Sequence, residues 1–138
     1  MFSDTAFFVS YLMLSSIIYI GLGGALGAIA RFMAVEIIKH ITNATYHAYI
    51  TAYVNIIGSF LIGLLFVYFS HSTINQNLKY FAIIGVLGSF TTFSTFSLDT
   101  IKFIQQGLWE NAFIYVILSV IISIFAAFAG ITVGRIFL

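Results

Sequence analysis

The chain has 138 residues, of which 62% are apolar and 7% charged, with five Lys and Arg set against four Asp and Glu. Soluble domains carry roughly 45–50% apolar and about 25% charged residues, so these few charges cannot clothe a compact soluble fold. The same arithmetic excludes a disordered chain, which needs low hydrophobicity and high charge. It also excludes a nucleic-acid partner, which needs clustered Lys and Arg to neutralise phosphates. Without cysteine there is no disulfide framework, thiolate metal site or Cys nucleophile. The composition is that of an integral membrane protein.

The charges fall at Asp4, Arg31, Glu36, Lys39, Lys79, Asp99, Lys102, Glu110 and Arg135. They leave uncharged runs at 5–30, 40–78, 80–98 and 111–134, and about 20 apolar helical residues cross a hydrocarbon core of about 30 Å. The reading is a single all-α membrane domain over 1–138, with transmembrane helices at 10–36, 48–69, 79–104 and 111–136. The polar stretch His40, Thr42, Asn43, Thr45 and His47 reads as a loop before the second span. Neither end resembles a cleavable leader, since the N-terminus is acidic and its apolar stretch too long. Residues before about Ser10 are left open as a short extra segment.

The third span is unusual. Its apolar start gives way to Gly88-Ser89-Phe90-Thr91-Thr92-Phe93-Ser94-Thr95-Phe96-Ser97. So many hydroxyls beside Gly85 and Gly88 suit a continuous lipid-facing helix poorly. Non-helical backbone at membrane depth survives only when buried in protein or lining a watery cavity. We therefore expect a broken third helix, interrupted near 88–92. An intact helix whose Ser and Thr bond back to their own carbonyls is the alternative.

With four spans, Lys79 and Arg135 fall on one side of the membrane and Arg31, Lys39 and Lys102 on the other. That is almost no bias, whereas a clear Lys/Arg excess normally fixes orientation. Either the insertion machinery sets the topology or the chain inserts both ways. Four spans also enclose little interior, so buried polar segments imply a partner chain. A pair of opposed copies answers both points.

Small residues let membrane helices approach closely. Gly23 and Gly27, with Gly24 and Ala28, form one such face, and Ala126, Gly130 and Gly134 another. Polar residues at depth are more selective. Thr51, Asn55 and Ser59 lie four apart along one face, and Tyr115, Ser119 and Ser123 repeat the spacing. These are neutral donors without fixed charge, suited to an anion that must pass rather than stick, although Ser and Thr also serve as interhelical glue. Phe93 and Phe96 sit three apart beside Ser94 and Thr95. Their positive ring edges could help replace water around a small anion, and ordinary packing is the alternative. Arg31 reads as an interfacial anchor or as a charge drawing anions to a pore mouth. His40, His47 and His71 fall in or near loops without zinc-ligand spacing, and Asp99, Lys102 and Glu110 read as solvated charges flanking the third loop.

At these residues the sequence resembles the Fluc/CrcB family of fluoride channels over nearly its whole length, apart from the first ten or so residues. The carrying segments are Gly23-Gly24-Ala25-Leu26-Gly27-Ala28-Ile29-Ala30-Arg31-Phe32, Thr51-Ala52-Tyr53-Val54-Asn55-Ile56-Ile57-Gly58-Ser59-Phe60 and the Gly88 to Ser97 run. The resemblance implies an antiparallel, dual-topology homodimer in the cell membrane that passes fluoride passively and lets the cell expel it. It implies a structural Na⁺ held at the dimer centre by backbone carbonyls, with Gly88 and Thr91 at the matching positions. It places Asn55, Phe93 and Phe96 in the fluoride pathway and, more loosely, Tyr115, Ser119 and Ser123. Thr51, Ser94 and Thr95 accompany them, and Arg31 stands at the pore mouth. The family usually carries Glu where this chain has Asp99. Two other classes remain. A small proton-coupled multidrug-type exporter would use a glutamate within the first span, which this chain lacks there. A noncatalytic membrane assembly subunit would use all its polar residues as glue. No general base or metal constellation marks an enzyme.

Overall fold

A computed structural model of the protein describes residues 2–42, 48–71 and 73–137, with residues 2–12 described by their backbone alone. Asn43, Thr45 and His47 of the expected loop lie outside the described residues. Every regular element among the described residues is helical. Four stretches are long and apolar enough to cross a membrane: Met13–Thr42, Ala48–His71, Gln76–Gln105 and Trp109–Phe137. The chain is a multi-pass membrane protein.

The helices outrun the spans read from hydropathy. The first runs from Phe2 to Thr42, so the backbone before Ser10 belongs to this helix and forms no separate segment. Its 41 residues extend for roughly 60 Å, about twice the thickness of a hydrocarbon core. Nothing after residue 36 stops it. The chain has no proline, Lys39 pairs with Glu36 one turn back at 2.7 Å, and Thr42 Oγ1 donates to the Ile38 carbonyl at 2.7 Å. His40 thus lies in the last turn of a helix, and His71 ends the second.

The third span has the most varied backbone. Asn75 caps its start, Oδ1 accepting from Asn77 N at 2.8 Å. An α-helical turn (Gln76–Lys79) passes into a π-helical stretch (Tyr80–Leu87) and a short α-helical piece (Gly88–Phe90). At Thr91 (φ −79°, ψ 156°) and Thr92 (φ −149°, ψ 118°) the backbone is extended, and helix resumes over Phe93–Gln105. We call 76–90 the N-terminal arm and Phe93–Gln105 the C-terminal arm. Gly88 therefore lies in helix, and the extended residues are confined to the end of the expected segment. The C-terminal arm closes with Leu108 N donating to Phe103 O at 2.9 Å and Gly107 N to Ile104 O at 3.0 Å. This is a Schellman cap, and Gly107 supplies its left-handed residue at φ +74°. The fourth span is α-helical over Trp109–Ile117, π-helical over Leu118–Ile122 and α-helical again over Ser123–Phe137.

Two close pairings build the bundle: the first helix with the N-terminal arm, and the second helix with Ser123–Phe137. Both depend on missing side chains. A methyl group added at Gly23 would strike the Phe81 carbonyl, and one at Gly27 the Val86 carbonyl. Likewise, Gly63 faces the Ala127 carbonyl and Gly130 the Phe60 carbonyl. Without a hydrophobic driving force between helices in lipid, this backbone-to-backbone contact carries the association. The C-terminal arm packs on the second and fourth helices through a core of Ala48, Ala52, Phe96, Phe103, Ala112 and Tyr115. Tyr115 is its centre, completely buried, with the rings of Phe96, Phe103 and Tyr49 between 5.5 and 6.1 Å away.

Candidate functional site

An extended dipeptide inside a bundle needs partners for its backbone. Asn55 supplies them. Its Oδ1 accepts from Thr92 N at 2.8 Å, and its Nδ2 donates to Thr92 O at 3.1 Å. One amide thus satisfies both polar groups of one residue, much as a strand partner would. Asn55, read from sequence as a donor for an ion, is first a brace for Thr92. It keeps one N–H for other work.

Beside this brace lies an open cavity of about 340 Å³. The second helix lines it with Asn55, Gly58, Ser59 and Ile62, the third span with Thr91, Thr92, Phe93 and Phe96, and the fourth with Ser119, Val120 and Ser123. No side chain in this lining is ionisable. Gly58 makes room for the bend, since a methyl group there would overlap the Thr91 methyl and come within 3.2 Å of the Phe90 ring. The hydroxyls of Tyr115, Ser119 and Ser123 are buried, and none makes a hydrogen bond of good geometry among the described residues, although those of Ser119 and Thr51 lie near enough to that of Tyr115 to interact with it. Such donors ordinarily find partners, and each one left without costs about 1–3 kcal/mol. Ser119 and Ser123 both belong to the residues that line the cavity.

The π-helical turn at Leu118–Ile122 carries Ser119 and separates Tyr115 from Ser123. Turns of this kind recur at functional sites. Nothing in the sequence announces it.

Phe93 and Phe96 both line the cavity, with ring centroids 5.2 Å apart and planes tilted by 47°. Their surroundings differ sharply. Phe96 is 8% exposed and packs on Tyr115, while Phe93 is 76% exposed on the open side.

A second cavity, of about 380 Å³, is lined by Ala28, Arg31, Phe32, Val35, Glu36 and Lys39 of the first helix, with Thr51, Val54, Thr92 and Thr95. Thr51 and Thr95 therefore face this space and not the first cavity. Ser94 lines neither; it is exposed, with its Oγ 3.3 Å from that of Thr92. Lys39 is held by Glu36, whereas no ion pair involves Arg31 among the described residues. Arg31 is thus the cation of this cavity without a salt-bridge partner among the described residues.

One residue beside these cavities is placed differently from the sequence expectation. Asp99 is not a solvated flank: its side chain is only 12% exposed. Thr51 Oγ1 donates to its Oδ2 at 3.4 Å, and Lys102 Nζ reaches its Oδ1 at 3.0 Å. From sequence it reads as a solvated charge flanking the third loop, but the C-terminal arm turns this face towards the second helix. Lys102 itself is exposed, as expected. Gly88, near the end of the N-terminal arm, is exposed, and Thr91, just beyond it, is half-buried. No group of His, Asp and Glu among the described residues could hold a metal through side chains.

Residues 18–131 match the family described as "CrcB-like protein, Camphor Resistance (CrcB)". A protein of Nitratiruptor sp. named "Fluoride-specific ion channel FluC" is 46% identical over 117 residues, covering 85% of this chain and 90% of that one. A relative of the same name from Magnetococcus marinus is 40% identical over 126 residues, 86% of this chain and 97% of its own. A third, from Campylobacter jejuni, is 36% identical over 123 residues, 89% of this chain and 100% of its own. The chain belongs to the CrcB-like family of membrane proteins.

Proposed function

We propose that this protein is a passive, fluoride-selective channel of the cell membrane, through which fluoride leaves the cell. The observation that carries the reading is the pair of buried hydroxyls at Ser119 and Ser123, without a hydrogen bond of good geometry among the described residues, beside an uncharged cavity with two phenyl rings. Fluoride is small and strongly hydrated, so a pathway must offer donors that replace its water. Neutral O–H and N–H groups and ring edges do so without binding the ion so tightly that it cannot leave. In this reading Ser119, Ser123, Tyr115, Asn55, Phe93 and Phe96 form the dehydrated stretch. Thr51, Ser94, Thr95 and Arg31 serve its approach, with Arg31 concentrating anions at the mouth. A channel of this kind performs no covalent chemistry, and the relatives carry the name of a channel.

The working unit in this proposal is an antiparallel homodimer. The exposure of Phe93 and Gly88 and the open side of the cavity support a second copy, since these polar and aromatic groups would otherwise meet lipid. The balanced distribution of Lys and Arg supports opposed orientations.

A structural Na⁺ at the dimer centre fits the chemistry of the donors. The last four carbonyls of a helix lack intrahelical partners. Here the Thr92 N–H, which would otherwise close on the Gly88 carbonyl, is turned to Asn55. Gly88 and Thr91 thus offer backbone oxygens, suitable ligands for a hard cation. When bound, the cation would supply positive charge that offsets the self-energy of a nearby anion.

The test is efflux from liposomes loaded with fluoride or with chloride and opened by a potassium ionophore. The proposal expects rapid fluoride release with chloride retained. Equal release of both ions, or release of neither, would refute it.

A further inference from the structure

Two cavities that share a single wall residue invite the question of what happens at that residue. Thr92 alone lines both the Arg31 cavity and the Ser119 cavity. It is buried, and its surroundings fix it unusually firmly. Asn55 holds its N–H and its carbonyl. Its side-chain oxygen accepts from Thr95 N at 3.2 Å, capping the C-terminal arm. Its hydroxyl proton is given to Thr95 Oγ1 at 3.0 Å, with Ser94 Oγ a further neighbour at 3.3 Å. The backbone and the oxygen are therefore pinned, while the proton keeps its freedom, because rotation about the C–O bond needs no movement of a heavy atom.

We infer that Thr92 is the hand-off point between the two cavities: its hydroxyl turns its proton from Thr95 to the passing anion and back again. The inference rests on the channel reading and adds to it a route and a donor. A pinned oxygen with a pivoting proton suits an ion that must be held briefly at a narrow junction. The donor is positioned in advance, and the resting bond to Thr95 keeps it satisfied between ions. Thr95 lines the Arg31 cavity, so the resting partner lies on the side from which the anion is drawn. The cap bond from Thr95 N is untouched throughout, and the helix need not loosen when the proton turns.

The experiment uses the full-length protein in fluoride-loaded liposomes containing few channels each, opened by a potassium ionophore. The fraction of fluoride released counts the vesicles that hold a working channel; the rate in those vesicles measures passage through it. Thr92→Val keeps the shape and removes the O–H. It should slow release about tenfold or more, the cost of one lost hydrogen bond to a charged group, with the released fraction unchanged. Thr92→Ser should stay within about twofold of the wild-type rate. Should Thr92→Val fail to fold, Thr92→Asn restores a capping oxygen but replaces the pivoting proton with a planar amide, and it too should conduct slowly. Wild-type rates in Thr92→Val or Thr92→Asn would overturn the inference. So would a smaller released fraction at an unchanged rate, which would make Thr92 a structural cap alone. A wild-type protein that releases no fluoride would instead defeat the channel reading itself.

Discussion

The seam between the first helix and the N-terminal arm and the cavity among the second, third and fourth spans bury polar groups in opposite ways. In the seam, Asn77 Nδ2 donates to Ser15 Oγ at 2.8 Å, and Ser16 Oγ donates to Asn77 Oδ1 at 2.9 Å. The rest of the contact is backbone against backbone at Gly23, Gly27 and Gly85. Asn77 spends its amide on side chains of the neighbouring helix, which is glue. Asn55 spends its amide on a backbone that has left the helix, and nearby buried hydroxyls make no hydrogen bond of good geometry among the described residues. Ser and Thr at membrane depth therefore do not declare their role by type or spacing. The distinction lies in whether their partners belong to the protein.

The contrast can be broken at several points. The largest effect belongs to the seam. Gly27→Leu drives a side chain into the Val86 carbonyl and should cost about 3 kcal/mol or more, seen as loss of monodisperse protein in size-exclusion chromatography. Asn55→Leu strands the N–H and C=O of Thr92, for a cost of about 2–6 kcal/mol in thermal unfolding at about 1–3 kcal/mol for each group. The phenylalanines should separate. Phe96→Ile removes buried contacts with Tyr115 and should both lower the unfolding temperature and slow fluoride efflux, whereas Phe93→Ile, on the open side, should slow efflux at nearly unchanged stability. Unchanged efflux in both would refute the role of the ring edges. The smallest effect is expected at Glu36→Gln, which breaks a solvent-facing i,i+3 pair and should shift stability by less than about 0.5 kcal/mol.

Much of this architecture is legible in the sequence, for reasons that can be stated. Uncharged runs long enough to span a bilayer locate the helices, and glycines four apart mark close-packed faces at Gly23 and Gly27 and at Gly130 and Gly134. Gly63 and Gly85 carry equal weight, yet the sequence does not single out Gly63 and offers Gly85 only as a weak point of the helix, because their packing role appears only once it is known which helix meets which. The role of Asn55 as a brace was hidden for the same reason: its partner is a backbone 37 residues away whose bend is a tertiary feature. Asp99 reads as a solvated charge because it stands near the expected third loop, while its packing face is set by the arm's approach to Thr51. The π-helical turns at Tyr80–Leu87 and Leu118–Ile122 have no spacing signature, so the track through Tyr115, Ser119 and Ser123 was read as plain α-helix. Composition and local period announce elements; pairing decides which polar groups end up without partners.

Ser119 and Ser123 hold the contrast in its simplest form, and the double variant Ser119→Ala, Ser123→Ala tests it most directly, with unfolding temperature and ionophore-triggered fluoride efflux measured on the same preparation. If these hydroxyls are kept for the ion, their removal takes no well-formed hydrogen bond from the fold, so stability should hold while the efflux rate falls about tenfold or more. A protein that loses stability yet conducts fluoride at the wild-type rate would show that the serines serve the fold, and would contradict the account.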